Sequence, residues 1–163
     1  MDTLLPLAKK VADLLKTRGE TIAVGESSVG GLVSASLIAQ AGASAFYVGG
    51  TIIYTPQAGR VLRAGAGIDL KGQTPLTPGF VEVLADGFRR QMGTDWATAE
   101  MGAAGPSGSP YGPGPGTGAV AVAGPVLRGR LVETGSADRM SNMRSFGQAK
   151  LELLIECLEE AGR

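Results

Sequence analysis

Apolar residues recur along this chain with two spacings, one typical of helices and one typical of strands. Residues 4–18 repeat apolar positions every three to four residues and stop at Gly19, which predicts an amphipathic helix. Residues 21–24 form a short apolar, β-branched run that predicts a buried strand. The same two patterns then predict a helix over 30–40 and a strand over 46–54.

The second half of the chain continues this alternation. Pro56 predicts the first turn of a short helix that reaches about residue 62, and Thr77 with Pro78 marks the start of a longer helix that ends at Gly93. The remaining predictions are strands over 96–101, 119–123 and 127–134 and a final helix over 139–161. Strands thus alternate with helices along most of the chain.

This alternation predicts a single three-layer α/β/α domain that covers residues 1–163. Its sheet is expected to be mixed and mostly parallel, because each crossover helix returns the chain to the end of the sheet where the previous strand began. One strand near the end is expected to run antiparallel, since the last two strands are joined by a connection too short for a crossover.

Residues 102–118 interrupt the pattern with a segment that cannot be regular structure. Its sequence, GAAGPSGSPYGPGPGTG, holds seven glycines and four prolines. A loop of this length in a compact domain is usually functional or mobile. Ligands of α/β sheets bind beyond the carboxyl ends of the strands, so this loop is expected to meet the segments after Val24 and Tyr54 in one cleft.

The net charge and the residue types of the chain limit the classes of partner that the sequence favours. Lys plus Arg and Asp plus Glu number 15 each, so no overall positive field favours nucleic acid or an anionic membrane. Neither a basic stripe nor an aromatic platform for nucleic acid stands out in the sequence. The single cysteine, Cys157, and the charged amphipathic first helix predict a cytoplasmic protein without a membrane span. A homo-oligomer is left open.

The chain contains no histidine. A Ser-His-Asp or Cys-His arrangement is therefore excluded, and the usual zinc ligand sets cannot be assembled. We expect neither a metal nor a cofactor. A serine nucleophile in this chain would need a lysine or another base.

Residues 21–31, TIAVGESSVGG, are the best candidate for chemistry. A predicted strand runs into a polar loop that carries Glu26, Ser27 and Ser28, and two glycines then open a helix. The amides of these glycines are expected to face an anion or a carbonyl oxygen. A hydroxyl beside free amides suits acyl transfer, and the alternative role for either serine is to cap the helix.

Four ordered segments resemble the C-terminal domain of the competence/damage-inducible protein CinA, a family that includes nicotinamide mononucleotide deamidases. GESSVGG at 25–31 is similar to the family's AESCTGG, and GGTIIYTPQAG at 49–59 is similar to its GGxxxYSNEAK. GAAGPSG at 102–108 is similar to its GIAGPGG, and GSADR at 135–139 is similar to its GDR. The resemblance covers essentially the whole chain. It implies hydrolysis of the carboxamide of nicotinamide mononucleotide to the nicotinate nucleotide and ammonia, with Ser27 as nucleophile and Tyr54 as a second catalytic-site residue.

One position departs from that chemistry. Gly59 aligns with the lysine that the resemblance implies as the base for the serine. Arg60 beside it cannot accept a proton, because a guanidinium stays protonated. No other lysine, Lys150 included, has a spacing that predicts contact with Ser27. General-base assistance contributes ~10²–10⁴ in rate, so the expected amidohydrolase is weak or inactive.

The elements that could hold a phosphate match the family's motifs better than the catalytic residues do. Amides and a hydroxyl of the Gly105 to Gly108 segment, together with two arginines near the final helix, could bind an anion. One function is therefore a weak deamidase with an oxyanion hole near Gly30 and Gly31, and the alternative is a silent domain that binds a mononucleotide, a phosphate or a partner. The residues expected to contact the ligand are Glu26, Ser28, Gly30, Gly31, Gly105, Ser107, Gly108, Arg139 and Arg144.

Overall fold

The computed structural model describes residues 1–162, and every predicted helix and strand is present in it. The helices are α1 (Leu5–Arg18), α2 (Leu32–Ile38), α3 (Pro56–Ala66), α4 (Pro78–Met92) and α5 (Arg139–Ala161), with a 3₁₀ turn at Ala43–Ala45. The strands are β1 (Ile22–Glu26), β2 (Tyr47–Ile52), β3 (Trp96–Gly102), β4 (Thr117–Ala123) and β5 (Leu127–Glu133). The largest differences from the prediction are in α2 and β2, which are shorter, and in α3, which is longer.

The five strands form one sheet in the order β2-β1-β3-β4-β5. β1 pairs in parallel with both β2 and β3, whereas β4 pairs antiparallel with β3 and with β5. The α/β fold with a mixed sheet is confirmed, and β4 alone runs against the other strands. The pairings are less parallel than expected, because placing β4 between β3 and β5 makes two of the four antiparallel.

Helices cover both faces of the sheet. One apolar cluster packs α1, α2 and α5 against the first face, with the buried side chains of Phe46, Trp96 and Phe146 among its largest members. A second cluster packs α4 against the other face through Val81 and Phe88. This arrangement is the expected three-layer sandwich. No helix within residues 1–162 is long and apolar enough to cross a membrane.

Side-chain caps set the residues at which α3, α4 and α5 begin. The hydroxyls of Thr55 and Thr77 accept hydrogen bonds from amides in the first turns of α3 and α4, and proline follows each threonine. The carboxylate of Asp138 does the same for α5 by accepting from the Ser141 amide at 2.6 Å. Because of this last cap, Arg139 is the first residue of α5, and it lies beside the carboxyl ends of the strands.

Two helical glycines provide a matched test of the packing on the α4 face. A Cβ added at Gly87 of α4 would lie 2.6 Å from Ile68 Cδ1 and closer still to Cγ1, whereas one added at Gly65 of α3 would have no neighbour within 4 Å. We expect Gly87→Ala to lower the free energy of unfolding by about 1 kcal/mol, since overpacking outweighs the gain in helix propensity. Gly65→Ala should raise it by up to about 1 kcal/mol. Urea denaturation of both variants checks this, and equal stabilisation by both would contradict the packing described.

Candidate functional site

A cleft of about 640 Å³ opens where β1, β2 and β3 end. It brings together segments that are far apart in the sequence, as the positions of its lining residues show. Those predicted from the sequence that line it are Glu26, Ser27, Ser28, Tyr54, Gly105, Ser107, Gly108 and Arg139. Gly30, Gly31 and Arg144 do not line it. A volume of this order suits a small molecule, because ligand pockets typically occupy ~300–1,000 Å³.

The wall of the cleft on the α4 side is apolar. It is formed by Leu76, Phe80, Leu84 and Phe88. Leu76 has a φ of 62°, in the left-handed region that residues other than glycine seldom adopt. Leu76, Leu84 and Phe88 are buried, so the partly exposed Phe80 is the member of the wall against which a flat aromatic or aliphatic group can pack.

Glu100, a buried residue of β3, holds the loop after β1. Its carboxylate accepts hydrogen bonds from the amides of Ser27 and Ser28 at 3.0 Å each and from the amide of Val29 at 3.2 Å. The Ser28 hydroxyl also donates to this carboxylate. Glu100 was not identified from the sequence, where it stands among the apolar residues of a predicted strand.

Glu26, the last residue of β1, holds the beginning of α2 in the same way. Its buried carboxylate accepts from the amides of Gly31 and Ser34 at 2.8 Å each, and from the Ser34 hydroxyl at 2.5 Å. A carboxylate at this place interacts favourably with the positive end of the helix dipole and stabilises the helix. Glu26 lines the cleft, but both of its oxygens are occupied by α2.

The expected oxyanion hole at Gly30 and Gly31 is therefore absent from this arrangement. The Gly31 amide donates to Glu26, and the Gly30 amide donates to the carbonyl of Ser27 at 3.2 Å. The physical reason is that the carboxylate of the preceding strand folds back over the helix terminus and takes the place that an external anion would occupy.

Lys150 of α5 lies behind this loop and is fully buried. Its Nζ donates to the carbonyl of Gly25 at 2.6 Å. Burial lowers the pKa of Lys150 below the ordinary lysine value, while the negative charges of Glu26 and Glu100 act in the opposite direction. Lys150 is four residues from Phe146 on the buried stripe of α5, so helical periodicity contained a sign of its burial.

The two serines of the loop have different surroundings. The Ser28 hydroxyl is buried and committed to Glu100, whereas the partly exposed Ser27 hydroxyl makes no hydrogen bond to any residue in 1–162. Gly59 of α3 lines the same cleft, and a Cβ there would lie 3.4 Å from Ile53 Cγ2, an ordinary contact. Position 59 thus has room for a side chain but supplies no base.

The Gly105 loop is fastened to the start of α5. The side-chain amide of Asn142 donates through its Nδ2 to the carbonyls of Ala104 and Ser136 at 2.8 Å each. Gly105 has a φ of 102°, and a Cβ there would lie 2.5 Å from the carbonyl oxygen of Ala137, so the close approach requires glycine. Further along the loop, the amides of residues 107 and 108 donate no hydrogen bond within the part of the chain that the structure describes.

Arg139 spans the cleft from this loop to the other side. Its Nη1 donates to the carbonyl of Gly105 at 2.7 Å, and its Nη2 donates to the hydroxyl of Tyr54 at 2.5 Å. The guanidinium also lies 5.9 Å from the centroid of the Tyr54 ring. Arg144, one and a half turns further along α5, is exposed and away from the cleft, because helical rotation points it elsewhere.

Two further arginines of the cleft, Arg60 and Arg63, were not assigned to the ligand from the sequence. Their spacing places them on one face of α3 together with Pro56 and Gly59. No group of three or more His, Cys, Asp or Glu residues that could hold a metal ion occurs within residues 1–162.

The buried lysine can be tested by its removal. We expect Lys150→Met to lower the free energy of unfolding by about 3–5 kcal/mol, because two buried carboxylates then lose their cation. Lys9→Met is the control, since Lys9 forms an exposed ion pair with Asp13 and should change stability little. Urea denaturation at neutral pH provides the measurement. A loss for Lys150→Met no greater than that for the control would show that the carboxylates do not need the lysine.

Comparison with curated proteins places the chain among CinA-like proteins. Residues 4–158 match the model of the CinA C-terminal domain. A CinA-like protein of Prochlorococcus marinus (strain MIT 9313) is 38% identical over 160 residues, and one of Anaeromyxobacter sp. (strain K) is 36% identical over 149 residues. Each match covers 91% of this chain and 36% of the relative, so the chain spans little more than a third of these proteins.

Solved structures agree with this assignment. A competence-damaged protein (CinA) superfamily structure from Klebsiella pneumoniae has a TM-score of 0.85 at 26% identity, covering 96% of this chain and 98% of the other. The competence/damage inducible protein CihA from Agrobacterium tumefaciens has a TM-score of 0.83 at 25% identity, covering 96% and 95%. From the matched residues, the relatives and the shared fold, we conclude that the chain belongs to the CinA C-terminal domain family.

Proposed function

We propose that this domain binds a pyridine mononucleotide in its cleft through the phosphate and hydrolyses the carboxamide slowly or not at all. The observation that carries the proposal is the combination of arginines without carboxylate partners and free amides around the cleft with a Ser27 hydroxyl that has no base. The family resemblance names nicotinamide mononucleotide as the compound to test first.

Arg139 and the 105–108 loop support the phosphate part of the proposal. The guanidinium is already oriented by Gly105 and Tyr54, which are neutral groups that do not cancel its charge. Ser107 and Gly108 line the same cleft, and their amides donate no hydrogen bond within residues 1–162. A guanidinium beside free amides binds phosphate through charge-assisted hydrogen bonds.

The apolar wall supports an aromatic ring as the other part of the ligand. Phe80 and Phe88 face the cleft from α4, with Leu84 between them. An aromatic ring that packs on this wall is removed from water, whereas the phosphate stays at the polar side. The arrangement matches the usual division of a ligand pocket into an apolar surface and a few polar anchors.

Hydrolysis of the amide would proceed by acyl transfer. Ser27 Oγ would attack the carboxamide carbon and lose its proton to a base, ammonia would leave after taking up a proton, and water would then release the acid and restore the serine. In this cleft the Ser27 hydroxyl has no basic partner within residues 1–162, and the Gly31 amide already serves Glu26. Both the first proton transfer and the stabilisation of the oxyanion are therefore poorly supported.

The same two features favour a second candidate function, a silent binding domain. Such a domain would hold the nucleotide without turnover and act through sequestration or through a protein partner. The two candidates share the ligand and differ only in ammonia release.

Binding is tested by calorimetry with nicotinamide mononucleotide at low salt. We expect measurable binding that weakens as salt is added, and Arg139→Gln should weaken it by roughly tenfold or more, since a hydrogen bond to a charged group contributes ~1.5–3 kcal/mol. Arg128→Gln is the matched control, because Arg128 pairs with Glu160 on an exposed surface outside the cleft. Absence of binding by the unaltered protein at millimolar ligand would contradict the proposal.

The missing base is tested by restoring it. Ammonia release from nicotinamide mononucleotide is expected to be near background, and Gly59→Lys should raise it by up to ~10²–10⁴-fold because position 59 lines the cleft. Gly59→Met supplies a side chain without an amine and should leave the rate at background. Ser27→Ala in the Gly59→Lys protein should abolish the gain. Turnover of the unaltered protein at ~1–10³ s⁻¹ would contradict the proposal that Ser27 lacks a base.

A further inference from the structure

α3 presents two arginines to the cleft that have no carboxylate partner. Arg63 donates from its Nε to the carbonyl of Gly59 at 2.9 Å, and its two terminal amino groups have no partner within residues 1–162. Arg60 is exposed and makes neither a hydrogen bond nor an ion pair in the same part of the chain. Both line the cleft, so two guanidinium groups face one space from one side of a helix.

The acidic residues of the cleft do not neutralise these arginines. Glu26 and Glu100 are its only carboxylates among the described lining residues, and both are buried. Their oxygens accept from the amides and hydroxyls of the loop and of α2. Lys150 compensates them from behind. The accessible part of the cleft is therefore positively charged.

The positive charge lies at two separate places. Arg139 reaches the hydroxyl of Tyr54, just before the N-terminus of α3. Arg60 and Arg63 belong to a different element, and the Arg63 side chain folds back along α3 so that its Nε meets the Gly59 carbonyl. A ligand with two anionic groups joined by a spacer can pair one group with each place, and the apolar wall of Phe80 and Leu84 borders this space.

We propose that Arg60 and Arg63 form a second anion subsite, through which the domain binds mononucleotides with a carboxylate on the base in preference to those with a carboxamide. The inference rests on the proposed function, since the first subsite is the one that holds the phosphate. A guanidinium matches a carboxylate geometrically and pairs with it through two parallel hydrogen bonds. A neutral carboxamide lacks the charge that makes these bonds strong.

The test compares nicotinate mononucleotide with nicotinamide mononucleotide by calorimetry, at equal low salt, on the unaltered protein and on two double variants. The unaltered protein should bind the acid roughly tenfold or more tightly than the amide. Arg60→Gln with Arg63→Gln should bring the ratio close to one, because it weakens binding of the acid more than binding of the amide, which loses only the general attraction between the cleft and its phosphate. Glutamine is a good helix former, so α3 should remain folded.

The control is Arg128→Gln with Arg130→Gln, which removes two exposed arginines from β5 and should retain the preference for the acid. Equal binding of acid and amide by the unaltered protein would overturn the second subsite and leave the proposed function standing. Binding of neither would overturn both. A preference that survives in the α3 double variant would also overturn the subsite, and a lower melting temperature with an unchanged ratio would assign the arginines to stabilising the end of α3.

Discussion

Two buried carboxylates and one buried lysine hold the loop that connects β1 with α2. Each carboxylate carries a large desolvation cost, which is offset only where hydrogen bonds and an opposite charge surround it. Glu26 and Glu100 meet this requirement with four hydrogen bonds each, and Lys150 supplies the cation from α5. The position of the loop, and with it that of Ser27, depends on this cluster.

The cluster also changes how the cleft meets a ligand. In many α/β proteins the free amides at a helix N-terminus hold an anion. Here Glu26 occupies that terminus, so the proposed anion sites are arginine side chains and the amides of a different loop. Arg139 lies on the side near Gly105 and Tyr54, and Arg60 with Arg63 lies on the α3 side. The cleft thus presents positive charge, and no base among the described residues meets the Ser27 hydroxyl.

Local signals predicted the fold well because they act within a few residues. Thr77 with Pro78, Gly19 after α1 and the glycine-rich segment 102–118 each report a cap, a stop or a loop from their immediate neighbours. The strand order was harder to predict from the sequence. The short connection predicted the antiparallel hairpin, but the insertion of β4 between β3 and β5, which makes two pairings antiparallel, depends on contacts across the whole sheet.

For the site, the sequence by itself determined the family motifs, the cleft-forming loops and a glycine at position 59, which supplies no base. Tertiary structure decided what the charged residues do. Lys150 lies 125 residues from Gly25 in sequence, and Glu100 lies more than 70 from the serines that it holds, so their contacts have no local signature. Helical rotation turns Arg144 away from the cleft, whereas Arg63 faces the cleft because of the side on which α3 packs. Periodicity indicates which positions of a helix are buried, but charge pairing depends on which distant side chains a fold brings together, and a linear pattern of residue types does not contain that information.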